Sequence, residues 1–416
     1  MPDDRRRGLY AQPSTDVEPA LRLVATLPDG SERLGAELGV RLTEMICAPV
    51  YGFSSQKRLQ TSQRVCELSE RLCDASALLR GLVNVGFAHL GRFEAVRSQE
   101  IAKRCLELAA ENLDGEMPAT VQNLVALSAQ LSGDLLDASS RFSHSMESLG
   151  STPERGATEF VATNPWVVTP AMFALVKLAL GTPDQALKSS DEALRRGREL
   201  KHPLSLTAVI ASGAILRYQC REPEVARELA EAAVAIAEEN GFRDWVAIGR
   251  SVRGSAMTAL GQAELGVVEL EAEAASVQTF FGTSALIMLA AAYVHVGRVE
   301  EASAIVDEEL ARIERSGARQ EAAELYRLKG GAILGRDSSA IPEPENFYRK
   351  AIAIAKSQSA KWWELRATVS LARLLGKQCK RDEARTILVE ICNWFTEGFD
   401  TPDLNDAKAL LEELSR

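Results

Sequence analysis

Seven cysteines, four histidines and 58 carboxylates are the side chains of this 416-residue sequence that could do nucleophilic, metal or acid–base chemistry. Their spacing argues against most of it. Cys47, Cys66, Cys73, Cys105, Cys220, Cys379 and Cys392 are an odd set with no CxxC, so they read as reduced thiols packed like small apolar residues, without a disulfide framework or zinc site. His89, His144, His202 and His295 fall outside any HExxH-type spacing. Gly249-Arg250-Ser251-Val252-Arg253-Gly254 is mis-spaced for a nucleophile elbow, and Leu375-Gly376-Lys377-Gln378 lacks the glycines that cradle a phosphate. Gly330, Gly331 and Gly335 make no GxGxxG. Acid pairs on exposed helical faces arise by number alone, so none can be picked as a general acid and base. The sequence therefore predicts a chain that is not an enzyme, with no catalytic residue, no metal and no cofactor.

Composition narrows the partners. The net charge is -10, with both signs interspersed, which is a poor footprint for nucleic acid. The densest basic run, Arg195, Arg196, Arg198 and Lys201, suits the end of a helix. The longest apolar stretch, near Leu206 to Leu216, is far shorter than the roughly 20 residues that span a bilayer, so no membrane partner is expected. Arg5, Arg6 and Arg7 are followed by Gly8, Tyr10, Gln12 and Pro13 and not by an apolar segment, which predicts a cytoplasmic protein.

The elements that would position any site are helices. From Glu32 onward apolar residues recur three and four apart, as in Ala186, Leu187, Ser190, Ala193 and Leu194, and alternating runs are missing. Turns marked at Gly91, Gly133, Gly181, Arg221, Gly261, Gly297, Asp337 and Cys379 recur at intervals of 42, 48, 40, 40, 36, 40 and 42. Five residues beyond each mark stand Val96, Ala138, Ala186, Ala226, Gly266, Ala302, Pro342 and Ala384, mostly small enough for two helices to approach closely. Thr182-Pro183-Asp184-Gln185 supplies a start signal after Gly181, and Asp400-Thr401-Pro402-Asp403 does so for a last helix. The expected fold is all-α, a tetratricopeptide-like right-handed α-solenoid of about nine hairpins with a C-terminal capping helix. Residues 1–30 read as a leader, 31–150 and 171–416 as two repeat subdomains, and the proline-rich segment 151–170 as a long connection. Gly335 to Asn346 reads as a polar insertion, and Trp362, Trp363 and Trp394 as core and cap packing.

A stack of hairpins presents a groove lined by its first helices. Positions 13, 10, 6 and 3 before each mark share one side of a helix and should face it. In the first half these are apolar or small, apart from Asn123 and Gln130; later they become Tyr218, Ser251, Ser255, Thr258, Ser284, Glu324, Arg327, Arg366 and Arg373. Three arginines in one concavity offer forked donors to an acidic peptide or a small anion, unless neighbouring carboxylates occupy them.

Three C-terminal stretches carry a resemblance: ELYRLKG (Glu324 to Gly330), FYRKAIAIAKSQSAKWWELRATVSLARL (Phe347 to Leu374) and NWFTEGFDTPDLNDAKALL (Asn393 to Leu411). They resemble the tetratricopeptide tail of bacterial signalling ATPases of the STAND type, which are linked to adenylate/guanylate cyclase domains. The likeness continues weakly upstream to about residue 31. It implies a binding or sensing module of bacterial signal transduction, with a protein or peptide partner in the groove and an ATPase or cyclase supplied in trans. A small-molecule-sensing superhelix and a separated tail of such an enzyme are the alternatives. The cyclase and ATPase residues of that family have no positions here to land on.

Overall fold

The computed structural model describes residues 13–46, 52, 54–112, 117–150, 162–274, 282–337 and 342–415, and among them every regular element is an α-helix. A first helix, α1 (Pro13–Val24), precedes nine hairpins. These are α2–α3 (Ser31–Ile46, Gln56–Leu72), α4–α5 (Ala75–Gly91, Ala95–Asn112), α6–α7 (Ala119–Ser132, Leu135–Leu149) and α8–α9 (Pro165–Ala179, Pro183–Leu200). There follow α10–α11 (Pro203–Gln219, Pro223–Asn240), α12–α13 (Arg243–Ala259, Ala263–Ala274), α14–α15 (Gly282–His295, Val299–Ser316), α16–α17 (Ala322–Arg336, Pro342–Ser357) and α18–α19 (Lys361–Lys377, Arg381–Cys392). The cap is α20 (Pro402–Ser415).

Two expectations change. The leader is in part a three-turn helix, because Val17, Ala20, Leu21 and Val24 form a stripe that packs on α2; residues 1–12 lie outside the described residues. The connection expected through residue 170 gives way to α8 at Pro165, and only 151–161 lie outside the described residues. Pro170 sits inside α8, where it lacks the N–H that would bond the Trp166 carbonyl. Arg196 supplies the replacement: its Nη1 donates to Trp166 O at 3.2 Å while the guanidinium lies 4.8 Å from the indole centroid.

The turns explain the period. Gly133, Gly181, Arg221, Gly261, Gly297 and Cys379 all take positive φ, between 61° and 90°. The first mark moves two residues: Gly91 ends α4, and Phe93 (φ 58°) makes the left-handed turn. Seven residues before these turns and before Asp337 stand Gly86, Ala126, Ala174, Ala214, Gly254, Ala290, Gly330 and Ala372; five after stand Ser98, Ala138, Ala186, Ala226, Gly266, Ala302 and Ala384. All these alanines are buried. In α4–α5 the Ser98 hydroxyl donates to Gly86 O at 3.3 Å, and in α12–α13 the two backbones touch. The insertion after Asp337, of which 338–341 lie outside the described residues, delays α17, so Gly330 receives the Tyr348 ring instead; a Cβ there would stand 2.7 Å from Tyr348 Cε1.

A Cβ at Gly266 would meet Gly254 O at 2.3 Å and Thr258 N at 2.9 Å, both backbone atoms that cannot swing away. Gly266→Ala is therefore expected to destabilise by about 1–3 kcal/mol in denaturant unfolding. Gly39→Ala, in α2 with nothing within 4 Å of the new methyl, should instead stabilise by about 0.5–1 kcal/mol.

First and second helices of the hairpins form two layers. In α8 nearly every side chain is buried, whereas α9 buries only a stripe of Ala186, Ser190, Ala193, Leu194 and Gly197. First helices thus line the inside. The array also closes on itself, because the turns of the second to fifth hairpins are covered by chain about five units further along. Phe93 lies under the Arg312 guanidinium (4.0 Å), and Leu131 O accepts from Gln320 N (3.2 Å). Asp184 accepts from Gly398 N (3.1 Å), and Arg221 meets Asp406 (2.6 Å). Trp394 and Phe395, ring on ring in a T, pack where Gly181 leaves room, and Phe395 meets the fully buried Trp362. The expected open groove is in this way enclosed by its own coil.

Candidate functional site

Enclosure leaves a cavity of about 500 Å³ against α10, α14, α16, α18 and α20. Ile287, Met288 and Ala291 of α14 and Val369 of α18 make its apolar wall. Charged groups come from the start of α16 and from α18, brought inward by the three- and four-residue spacing of Glu321, Glu324 and Arg327, and of Arg366, Ser370 and Arg373.

The charges are arranged in pairs. Arg327 grips Glu324 with two hydrogen bonds, Nε to Oε2 at 2.8 Å and Nη2 to Oε1 at 2.6 Å. Arg366 forks onto Asp403 at the start of α20, at 2.8 and 3.1 Å, and its Nη2 also donates to Gln219 O at 2.5 Å. Burial works against the Arg366 charge, but Asp403 and then Glu324 hold its pKa above the ordinary value. Arg373 is looser, half exposed and 3.7 Å from the Asp406 carboxylate that Arg221 already holds. Glu321 caps this set from below. Its Oε1 accepts from Ser284 Oγ at 2.7 Å, and burial, helped by Glu324, lifts its pKa to about 7 against the pull of Ser284 and Arg366.

Six of the eleven expected groove residues meet at this cavity: Tyr218, Ser284, Glu324, Arg327, Arg366 and Arg373. Gln130 lines a smaller cavity beside it. Ser255 stands behind as a hydrogen-bonding partner of the buried Tyr218 hydroxyl. Ser251 and Thr258 donate to carbonyls of their own helix, Ala247 O at 2.8 Å and Gly254 O at 3.0 Å, away from the cavity lining. Asn123 ties three helices together, donating to Thr169 Oγ1 (2.7 Å) and accepting from Ser145 Oγ (2.9 Å). Sequence reasoning missed Glu321, Trp363, Asp403, Asp406 and Arg221. Glu321 and Trp363 lie one helical turn before the offsets used and were within reach of the same periodicity. Asp403 and Arg221 meet the site only through the closure, for which no local pattern exists.

Among the described residues no cluster of ligating side chains could hold a metal, and no helix is long and apolar enough to cross a membrane. Burial lifts the thiols of Cys66, Cys105 and Cys220 to about 12, so these side chains pack and stay protonated. Cys47 lies outside the described residues.

Fold and cavity together define an α-solenoid of tetratricopeptide type. No family model matches the chain, and no curated protein matches it in sequence. Solved structures do match. A Rap protein complexed with Competence and Sporulation Factor has a TM-score of 0.59 at 14% identity, over 92% of this chain and 100% of that one. The hetero-tetramer Cut9-Hcn1 of the APC/C gives 0.56 at 14% identity, over 96% and 67%. A STAND protein with a tetratricopeptide repeat sensor from Pyrococcus horikoshii gives 0.47 at 12% identity, over 94% and 55%. At these identities the likeness speaks to the fold.

Proposed function

We propose that this chain is a non-catalytic binding module that takes a short peptide, or a segment of a partner protein, into its interior cavity. The carrying observation is that cavity: about 500 Å³, lined by both apolar and charged side chains, built from the inner helices of several repeats. Its arginines and carboxylates are held by one another, an arrangement that suits recognition of a ligand's polar groups more than proton transfer. A chain of like fold complexed with Competence and Sporulation Factor supports the reading. The C-terminal resemblance supports a signalling role, with a STAND-type ATPase or a cyclase in trans as the partner. The volume also suits a small molecule, the second reading.

A photoreactive amino acid placed at Arg373, at the cavity, should cross-link a partner in cell extract, and one at Leu265, exposed on the outer helix α13, should not. Equal adducts at both places, or none at Arg373, would sink the proposal. A metabolite that raises the melting temperature while no cross-link forms would select the small-molecule reading.

A further inference from the structure

A cup of about 30 Å³, with Leu135, Leu175, Ala179 and Ile215 on its apolar part, adjoins the main cavity and shares Gln219, Ser284, Glu321 and Trp363 with it. Gln130 from α6 and Gln320, which precedes α16, complete its polar lining. The cup is short of hydrogens. Gln130 is 8% exposed, and its Oε1 accepts no hydrogen bond from the protein; the buried Gln320 Oε1 is in the same condition. Above about pH 7 the ionised Glu321 carboxylate is a third acceptor, and its only hydrogen bond among those described comes from Ser284 Oγ at 2.7 Å. Buried acceptors left without a donor are costly, so three around one small space call for a group that brings several N–H or O–H bonds at once.

A water molecule fits the space but brings two hydrogens and no charge. A primary ammonium brings three donors and the positive charge that a buried carboxyl lacks. The indole of Trp363, which lines the same space, adds an aromatic surface that favours a cation. The main cavity that the cup adjoins is also lined by Ile287, Met288 and Val369 and by Arg373 and Arg221, which share a single carboxylate, Asp406.

We infer that the cup is an ammonium site, which receives the free amino terminus of a short peptide whose anionic group lies at Arg373 and Arg221. This rests on the reading of the cavity as the partner site and deepens it. The resting state of Glu321 agrees: burial and then Glu324 oppose its ionisation, the Ser284 hydrogen bond and the Arg366 charge only partly offset them, and an arriving ammonium would supply a further counter-charge.

The test uses the full chain and a pool of synthetic pentapeptides with free termini, the same pool N-acetylated, and the Glu321→Gln variant, read by affinity selection and mass spectrometry. Free-amine peptides should be retained, and both N-acetylation and Glu321→Gln should cut retention at least ten-fold, with the variant still melting no lower than the native chain. Equal retention of acetylated peptides, the result expected of a cup that holds water only, overturns the inference and leaves the cavity reading standing. So does undiminished retention by Glu321→Gln. Retention of no peptide overturns it too, and the cross-link at Arg373 then decides whether the wider reading falls with it. A thermal shift by putrescine alone, with no peptide retained, would assign the cup to free amines and overturn the peptide terminus.

Discussion

Replacing Asp403 by alanine is expected to cost about 3–5 kcal/mol, because it strands a buried guanidinium without its carboxylate. Arg366 and Asp403 have side chains only 17% and 8% exposed, and the fork between them joins α18 to α20. Two indoles, Trp362 and Trp363, lie beneath the guanidinium at 5.8 and 5.3 Å, so little water can reach it once the acid is gone. The remaining hydrogen-bond partner, Gln219 O, offers a dipole but no charge, and the nearby Glu324 carboxylate is already gripped by Arg327. The midpoint of urea unfolding should fall accordingly, and amides of α20 should exchange faster. Replacing both members, Arg366→Met with Asp403→Leu, should recover most of the loss, since the desolvation of both ions disappears with them. A loss below about 1 kcal/mol for Asp403→Ala would show that the pair is solvated and the closure held elsewhere.

The second large effect has the opposite sign. Glu321→Gln should stabilise the protein at pH 8 by about 3 kcal/mol, from a pKa displaced from 4.5 to about 7. Folding favours the neutral carboxyl, so the folded chain keeps a proton that the unfolded chain has already released. The stability from this group is fully present below about 4.5 and is lost as pH rises through about 7. Above that value the native protein carries a buried carboxylate that Arg366 only partly offsets. Melting temperatures of native and variant proteins should therefore nearly coincide at pH 4.5, separate up to about pH 7 and level off by pH 8. A constant gap across that range would show that Glu321 titrates normally.

The repeat was legible in the sequence because its cause is local. Ala186 or Ala226 must be small to let one helix lie on the next, and a turn that needs positive φ prefers the glycine of Gly133 or Gly181. Phe93 was not legible, since an aromatic residue is a poor guess for a left-handed turn; the bond from Glu94 N to His89 O, at 3.0 Å, helps hold it there. The start of α8 is written in Asn164-Pro165, an N-cap followed by a first-turn proline, but was hidden by Pro170, whose place inside the helix depends on Arg196 from another helix. At the cavity, helical spacing alone found Glu324, Arg327, Arg366 and Arg373. Whether those arginines were free was not written in it: Glu324 lies three residues from Arg327, a readable partner, but Asp403 reaches Arg366 from a helix with no repeat register.

Coiling upon itself sets the number of units between the residues that meet across the coil. An open array tolerates the gain or loss of a repeat, since every unit touches only its neighbours. Here Arg221 also meets Asp406, and Asp184 meets Gly398. Deleting any one unit between them would slide the upper whorl by a whole step against the lower, pairing Arg221 and Asp184 with strangers. The count of units between such contacts, free to drift in related architectures, is in this chain a fixed quantity.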